Sequence, residues 1–318
     1  TAPGKDAGLF LTNLKVRGWL DYETLSKIRS DIIIVTLTGD RHGKPQVDYT
    51  VNPALGIPDI TGHEGSVDPV ANAIPAWDMI AGNMCVSSLL AAERYRLRHG
   101  VGQDVEIALK DVASAAIGHL GMIADTTLNT DDRTKAGNSL YGAYGKDFLC
   151  ADGNRVMIIG LTSRQWTGIV KATDTAEQFK QLEMQNNINL QDESIRWKWR
   201  HAITEIIEPW FKTRKVEDFA SNFDKTGLTW SVFRSVREAL DFDPDLTEDN
   251  PLFKKILQPD AGEFLVPKHP ANFSKVENSD PTAAPILGEH TEEILGDVLN
   301  LSDIEVSNLF DNGVVASP

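Results

Sequence analysis

Apolar residues along the chain fall into short strand-like runs separated by longer helical patterns. Residues 8–12 and 31–38 are short apolar or β-branched runs, and DYETLSKIRS between them has a helical composition. Strand, helix and strand in this order predict a βα-type start to the fold. The unbroken run IIIV within 31–38 predicts a strand covered on both faces, as in a parallel sheet flanked by helices.

A long helix is predicted after a passage rich in Gly, Pro, Asn and Asp that extends from residue 39 to residue 75. Connections of this length are uncommon in a compact domain unless they have a function, so we expect this passage to contribute to a site. The helix is predicted to begin after Asp78, with small and apolar residues on several faces. Gly100 is placed to supply the left-handed residue that ends it.

The rest of the chain continues the alternation of strands and helices. Strands are predicted over 104–109 and 155–161, and helices over 110–125 and 163–173. The span from 176 to 240 is mostly helical and amphipathic, and we expect Pro209 and the acidic segment 241–251 to break it. The remainder predicts an irregular or strand segment over 262–274 and two helices over 291–315.

Composition and charge exclude several classes of protein. With 41% apolar and 24% charged residues the chain is globular, and its net charge of −15 argues against nucleic acid as a partner. The two cysteines, Cys85 and Cys150, have neither disulfide-framework nor metal-ligand spacing, which is typical of a reducing, cytoplasmic compartment. No apolar run approaches the length of roughly 20 residues that a membrane helix needs, so we expect no membrane partner.

Standard motifs for metals, nucleotides and serine nucleophiles are absent. The seven histidines lack paired spacing with carboxylates, so no metal is expected. The loop GDRHGKP, residues 39–45, is similar to a phosphate loop only superficially, because it lacks GxxxxGK[ST], and no GxGxxG follows a strand. There is no GxSxG elbow either.

Asp78, in the stretch IPAWDMIAGN, is the carboxylate whose surroundings point to chemistry. An Asp directly before a helical run is a favourable N-cap, because its side chain accepts hydrogen bonds from unpaired backbone amides. The same amides would stabilise an ionised carboxylate, and apolar Trp77 and Met79 would restrict water, which favours a nucleophile. The residues leave both roles open, and the two roles are compatible.

A series of segments, in order along the chain from about Asn13, matches one family. They are TNLKVRGWLDYETL, DIIIVTLTG, AWDMIAG, LLAAERYRLRHGVGQDVEIALKDV, DGNRVMIIGLTSRQW and APILGEHTEEIL. In these segments the chain resembles the class III CoA-transferases. The resemblance implies that Asp78 is the catalytic nucleophile, that the substrate is an acyl-CoA, and that no cofactor is needed because CoA is part of the substrate. The likeness is greatest to members that move CoA between the two carboxyl groups of one branched, unsaturated dicarboxylic acid.

The resemblance also implies an architecture. It is an α/β fold with a doubly wound, Rossmann-like large domain, a smaller α/β domain and an interlocked homodimer. Residues 1–130 would form the first part of the large domain, 131–245 the small domain with its linkers, and 246–318 the returning part of the large domain. Family members normally have a further N-terminal segment, which the chain is expected to lack.

Some binding residues follow from the resemblance, and three rival functions stay open. Asn13 and Leu14 match the family's Asn-Phe pair at the CoA pocket, and Arg17 is either a phosphate ligand or a surface cation. Racemases of the same superfamily pair the Asp with a His, and Val47 stands at the position of that His. Besides a racemase, the chain could be an intermolecular transferase acting on another dicarboxylyl-CoA or a non-catalytic CoA-binding subunit.

Overall fold

The structure is a computed structural model that describes Gly4 and residues 6–318. Its contacts divide the chain into two units, residues 1–231 and residues 232–318. The domain boundaries that the resemblance implies, near residues 130 and 245, stay predictions. In the described part of the chain, no helix is both long enough and apolar enough to cross a bilayer.

The elements alternate between strands and helices through most of the chain, as the sequence predicts. The strands are β1 (Leu9–Thr12), β2 (Ile33–Thr38), β3 (Gln103–Ala108), β4 (Tyr144–Leu149), β5 (Arg155–Gly160), β6 (Thr229–Val232), β7 (Phe253–Gln258) and β8 (Gly262–Pro267). The helices up to β4 are α1 (Tyr22–Ile28), α2 (Asp48–Ala54), α3 (Ile57–Ile60), α4 (Ala76–His99), α5 (Leu109–His119) and α6 (Met122–Leu128). The later helices are α7 (Ser163–Ala172), α8 (Ala176–Asn186), α9 (Glu193–Lys198), α10 (Arg200–Lys212), α11 (Val216–Thr226), α12 (Val236–Phe242), α13 (Thr291–Glu293) and α14 (Asp303–Asp311), with a 3₁₀ turn at Pro244–Leu246 and a π turn at Ile294–Val298.

The first sheet is parallel, with strand order β1-β2-β3. Its central strand pairs Ile33 with Leu9 on one side and with Gln103 on the other. Ile33, Ile34 and Val35 are 0%, 3% and 0% exposed, so the strand is covered on both faces. The parallel strand predicted from the run IIIV is therefore confirmed, and the α/β class with it.

Helix α4 packs on this sheet and runs antiparallel to its strands. Near its C-terminus, Arg96 donates hydrogen bonds to the carbonyls of Ala7, at 2.9 Å, and Asp31, at 3.3 Å, which precede β1 and β2. The other end of α4, with Trp77, clusters with residues of α2 and α5. The N-terminus of α4 therefore lies at the carboxyl edge of the parallel sheet, where open α/β sheets bind their ligands.

Several element boundaries differ from the prediction. Helix α4 begins at Ala76, before Asp78, although Gly100 ends it as expected, in the left-handed conformation with φ 76°. Residues 110–125 form two helices, because left-handed Gly121, with φ 76°, separates α5 from α6. Pro209 does not break the helical region, since it lies inside α10.

The helix around Pro209 persists because of what it buries. Ile203, Ile207 and Phe211, on one face of α10, are each 0% exposed. Burial of three large apolar side chains contributes about 2 kcal/mol each, which outweighs the roughly 3 kcal/mol cost of a proline in a helix interior.

The second sheet is antiparallel, with order β4-β5-β6. It confirms the strand predicted over 155–161. Phe148 of β4 stacks on Phe211 of α10 with ring centroids 4.7 Å apart. The second unit contains the antiparallel pair β7 and β8, which confirms the strand alternative for the start of segment 262–274.

Candidate active site

The first turn of α4 carries Asp78, but Asp78 does not cap the helix. The N-cap residue is Pro75, whose side chain makes no capping hydrogen bond. Instead Asp48 reaches across from α2, and its Oδ2 accepts hydrogen bonds from the backbone N of Trp77, at 2.7 Å, and of Asp78, at 3.4 Å. The capping role considered for Asp78 is therefore wrong, and Asp48 satisfies the helix amides in its place.

Helix α2 holds Trp77 through two polar residues one turn apart. Asp48 is 2% exposed, and Asn52, also 2% exposed, accepts a hydrogen bond from Trp77 Nε1 at 3.0 Å. Positions i and i+4 of a helix share a face, so one side of α2 binds both the backbone and the ring of Trp77. Val51, between them, packs in the same core cluster as Trp77. Helix α2, within the passage from 39 to 75, therefore holds the first turn of α4 in place, while a functional role of the passage stays a prediction.

The electrostatic surroundings of Asp78 disfavour its charged form. Protein atoms around the carboxyl group raise its pKa above the ordinary value by desolvation, and the negative charge of Asp48 raises the pKa further. The side chain is nevertheless exposed in the single chain. An accessible carboxylate of raised basicity is a better nucleophile, once ionised, than an ordinary Asp.

The three residues assigned to CoA lie in the loop after β1. Asn13, Leu14 and Arg17 are all exposed, and Leu14 N donates to Thr12 Oγ1 at 2.9 Å. Carboxyl ends of parallel strands meet at one edge of a sheet, so this loop lies on the same edge as the N-terminus of α4. Their contacts with CoA stay predictions.

Val47 directly precedes Asp48 and is the N-cap residue of α2. Its side chain is 58% exposed and contains no group that could move a proton. Val47 therefore supplies no acid or base next to Asp48.

Sequence reasoning missed Asp48 and Asn52. The spacing DxxxN is readable in the sequence, but it lies in a passage whose Gly and Pro residues predict a loop. The signal gains meaning only when α2 is known to be helical and to pack against the first turn of α4. That contact joins segments about 30 residues apart, since Asp48 and Asp78 are separated by 30 positions.

Comparison with known sequences identifies the class of protein that this fold and carboxylate pair define. The chain belongs to CoA-transferase family III, which it matches over residues 6–291. It is 48% identical over 317 residues to 2-methylfumaryl-CoA isomerase of Chloroflexus aurantiacus, covering 100% of this chain and 78% of that protein. It is also 23% identical to mouse succinyl-CoA:glutarate CoA-transferase, covering 93% of this chain and 66% of that protein.

Solved structures support the same fold. A CAIB/BAIF family protein from Brucella suis superposes with a TM-score of 0.70 at 21% identity, covering 92% of this chain and 76% of that one. A hypothetical protein from Mycobacterium tuberculosis gives a TM-score of 0.68 at 18% identity, covering 89% and 75%. At these identities the likeness extends to the fold alone.

Proposed function

We propose that this enzyme moves CoA between the two carboxyl groups of 2-methylfumarate (mesaconate), converting 2-methylfumaryl-CoA into 3-methylfumaryl-CoA. The observation that carries the proposal is the accessible Asp78 carboxylate on the first turn of α4, with Asp48 bound to the helix amides beside it. The identity of 48% over the whole chain to 2-methylfumaryl-CoA isomerase supports this substrate.

The proposed chemistry begins with two acyl exchanges at Asp78. The Asp78 carboxylate attacks the thioester carbonyl, which forms a mixed anhydride and releases CoA thiolate. The thiolate then attacks the aspartyl carbonyl of the anhydride, which leaves an aspartyl-CoA thioester and the free dicarboxylate. Covalent catalysis divides one difficult transfer into easier steps.

The second half of the reaction repeats these steps in reverse at the other carboxyl group. That carboxylate attacks the aspartyl-CoA thioester, which gives a second anhydride and thiolate, and the thiolate attacks the acyl carbonyl of the substrate. Asp78 is regenerated and CoA is attached to the new carboxyl group. This series of reaction steps needs no cofactor beyond the CoA that the substrate carries.

Two alternatives differ in what the site would have to supply. A racemase needs a second group for proton transfer beside the thioester, and Val47 offers none. A non-catalytic CoA-binding subunit would not require a carboxylate whose pKa is raised by desolvation and by the charge of a buried neighbour. Both features favour transferase chemistry.

The reaction is tested by following one substrate in the presence of labelled acid. The protein is incubated with mesaconyl-CoA esterified at carbon 1 and excess isotopically labelled free mesaconate, and the esters are separated by chromatography. Appearance of the carbon-4 ester without label is the expected result. Labelled ester would mean that the acid exchanges with solution, as in an intermolecular transferase, and absence of any new ester would contradict the proposal.

Replacing the nucleophile gives the first prediction. Asp78→Asn should lower turnover at least roughly a thousandfold, because an amide cannot form the anhydride, while the circular dichroism spectrum stays that of the parent protein. Asp59→Asn, at an exposed carboxylate on α3, is the matched control and should turn over normally. Substantial activity in Asp78→Asn would remove this residue from the mechanism.

We further propose that the enzyme is a homodimer. We also propose that each chain has a doubly wound large domain and that the two chains of the dimer are interlocked. The chain exposes 21127 Å². A compact chain of 35.0 kDa exposes about 13,000 Å². Two separate compact bodies of the lengths of the two units would still expose only about 15,000 Å² in total, so the excess does not depend on how the units are arranged. Such an excess favours a partner copy over a self-sufficient monomer.

One exposed surface for that partner lies on α4. Met79, Val86, Leu90 and Leu97 are 58%, 50%, 56% and 73% exposed. Their spacings of seven, four and seven residues put them on one stripe of the helix. This α4 stripe lies opposite the buried residues Ala81, Cys85 and Ala92. An exposed apolar stripe of this kind is typical of a protein interface.

A further inference from the structure

The chain reaches the first turn of α4 through an irregular segment, residues 62–75, which we call the strap. It contains neither helix nor strand, and it connects α3 to the helix that carries Asp78. Two of its apolar side chains, Val67 and Ile74, are 86% and 59% exposed. Ile74 precedes Asp78 by only four positions, so the C-terminal end of the strap lies close to the proposed nucleophile.

The first part of the strap is attached to other elements, and its last part is not. The carbonyl O of Asp68 accepts a hydrogen bond from Lys135 Nζ, and Val70 N donates to the carbonyl O of Pro58 at 3.0 Å. Within the described part of the chain, residues 71–75 form hydrogen bonds only with the first turn of α4. The position of this last part therefore depends on how the first part is held.

Glu64 provides the charged attachment of the strap. Its Oε1 accepts a hydrogen bond from Arg200 Nη2 at 2.6 Å and lies 3.3 Å from His201 Nε2, and both partners belong to the first turn of α10. Burial acts to raise the pKa of Glu64, but Arg200 and His201 outweigh burial and hold the pKa below its ordinary value. Among the described residues, no other side chain of the strap forms an ion pair.

Arg200 is held in place for this contact. Its Cζ lies 4.1 Å from the ring centroid of Trp197, and its Nη1 donates to the carbonyl O of Trp197 at 3.2 Å. The Trp197 ring in turn packs on Tyr141, with centroids 4.9 Å apart. Arg200 Nε is buried and has no hydrogen-bond partner in the described chain, which is uncommon. A guanidinium that leaves this group unsatisfied and binds a carboxylate at 2.6 Å is oriented towards that carboxylate.

The proposed reaction needs a cover over the acid. After the first two exchanges the dicarboxylate is bonded neither to Asp78 nor to CoA, and it has to stay in the site until its other carboxylate reacts. The Asp78 side chain is exposed in the single chain, so it is open to solvent there. Enzymes commonly close such sites with a loop that keeps the reactants from solvent.

We propose that the strap retains the free dicarboxylate between the two half-reactions, and that the ion pairs of Glu64 with α10 hold the strap closed. Glu64 fixes the first part of the strap, and the last part, with Ile74, then covers Asp78. The proposal rests on the proposed function, since only an intramolecular transfer has to retain its acid. Glu64 and Arg200 act as positioning residues in this role and do not touch the reacting atoms.

Label exchange tests the retention of the acid. The parent protein, Glu64→Ala and the control Glu208→Ala are incubated with mesaconyl-CoA esterified at carbon 1 and excess labelled free mesaconate. Glu64→Ala should give a labelled fraction of carbon-4 ester at least about tenfold above that of the parent, because the acid escapes and labelled acid replaces it. Glu208 forms an ion pair with Lys212 of the same helix at 2.9 Å, and its removal should leave the product unlabelled.

Turnover gives a second readout, which a general loss of stability would not produce. Without free acid, Glu64→Ala should turn over about tenfold more slowly than the parent, because enzyme that has lost its dicarboxylate is left as the aspartyl-CoA thioester. Added mesaconate should restore turnover. Glu64→Gln, which keeps a hydrogen-bond acceptor but loses the charge, should lie between the parent and Glu64→Ala in both measurements.

The outcomes separate the role of the strap from the proposed function. Unlabelled carbon-4 ester made by Glu64→Ala at the parental rate would overturn the role of the strap and leave the proposed reaction in place. Slow turnover that added mesaconate does not restore would also overturn it, since it would indicate a general change in the site. Labelled ester, or no new ester, from the parent protein would contradict the proposed reaction and the retaining role with it.

Discussion

Two carboxylates, Asp48 and Asp78, lie at the first turn of α4, and their different surroundings indicate different roles. Asp48 is buried and committed to the amides of Trp77 and Asp78, whereas Asp78 is accessible and has a raised pKa. A buried acceptor fixes the helix end, and its charge makes the neighbouring carboxylate more basic. The positioning group and the proposed nucleophile are therefore different residues.

This arrangement predicts a pH effect. Desolvation raises the pKa of Asp78, and the negative charge of Asp48 raises it further, so Asp48→Asn should lower that pKa, and the rise of kcat/KM with pH should begin at lower pH. Asparagine Oδ1 can still accept the two backbone hydrogen bonds, which keeps the helix end in place. Measurement of kcat/KM from pH 3 to 8, with Asp59→Asn as control, checks the shift. An unchanged or higher midpoint would show that Asp48 does not act on Asp78 through its charge.

The elements show where sequence patterns suffice and where they do not. The run IIIV predicts a doubly covered parallel strand because an unbroken apolar run is favourable only where both faces of the strand are buried. Gly100 predicts the helix end because left-handed conformations favour glycine. Residues 39–75 predict a loop, but α2 and α3 form there because Val51 and Pro58 are buried. Tertiary burial of this kind is invisible to local composition.

The Phe148–Phe211 stack predicts a loss of stability on truncation. Phe211→Ala should lower the free energy of unfolding by about 3–5 kcal/mol, because it leaves a cavity beneath the antiparallel sheet. Urea unfolding checks this value. Met184→Ala, at a side chain that is 74% exposed on α8, is the control and should cost far less. Equal costs for the two substitutions would contradict the buried position of Phe211.

Asp147 of β4 predicts a stability that depends on pH. Burial acts to raise its pKa, but Arg155, Asn138 and Lys146 outweigh burial and hold the pKa below its ordinary value. A depressed carboxyl pKa stabilises the fold above the unfolded-state pKa of about 4, and the contribution is lost as the pH falls below it. Asp147→Asn should therefore lower the free energy of unfolding by about 2 kcal/mol at pH 7 and by less at pH 3. Urea unfolding of the parent protein and the variant at both pH values measures this loss. An equal loss at pH 7 and pH 3 would show that the stabilisation does not depend on the charge of Asp147.

At the scale of the whole molecule, the surface is what sequence patterns describe least well. Small and apolar residues on several faces of α4 predict close packing, yet the α4 stripe is exposed in the single chain. A second copy of the chain that covers the α4 stripe would explain this residue pattern. The sequence contains no local signal that distinguishes a helix face buried in the core from one buried in an interface. Asp78 could be singled out from the residues around it, and its role as nucleophile stays a prediction that rests on the resemblance, whereas its neighbour Asp48 could be recognised only from the packing of α2.

The α4 stripe predicts an oligomer that one charge can disrupt. Leu90→Asp should shift the protein from dimer to monomer or aggregate, because it buries an unpaired carboxylate at an apolar interface. Sedimentation velocity measures the change. Lys171→Asp, on α7, introduces the same side chain elsewhere and should leave the dimer intact. A dimeric Leu90→Asp variant would exclude the stripe from the interface.

Helix α4 is attached at both ends, to Asp48 at its first turn and through Arg96 to the carbonyls of Ala7 and Asp31 at its last. These contacts hold the helix against movement along its axis and so hold Asp78 in one place relative to the sheet. Under the proposed mechanism, the Asp78 carboxyl group would stay in place while the acid turns to present its second carboxyl group. The proposal then predicts that the volume swept by a rotating mesaconate, rather than its length, limits which dicarboxylates are isomerised.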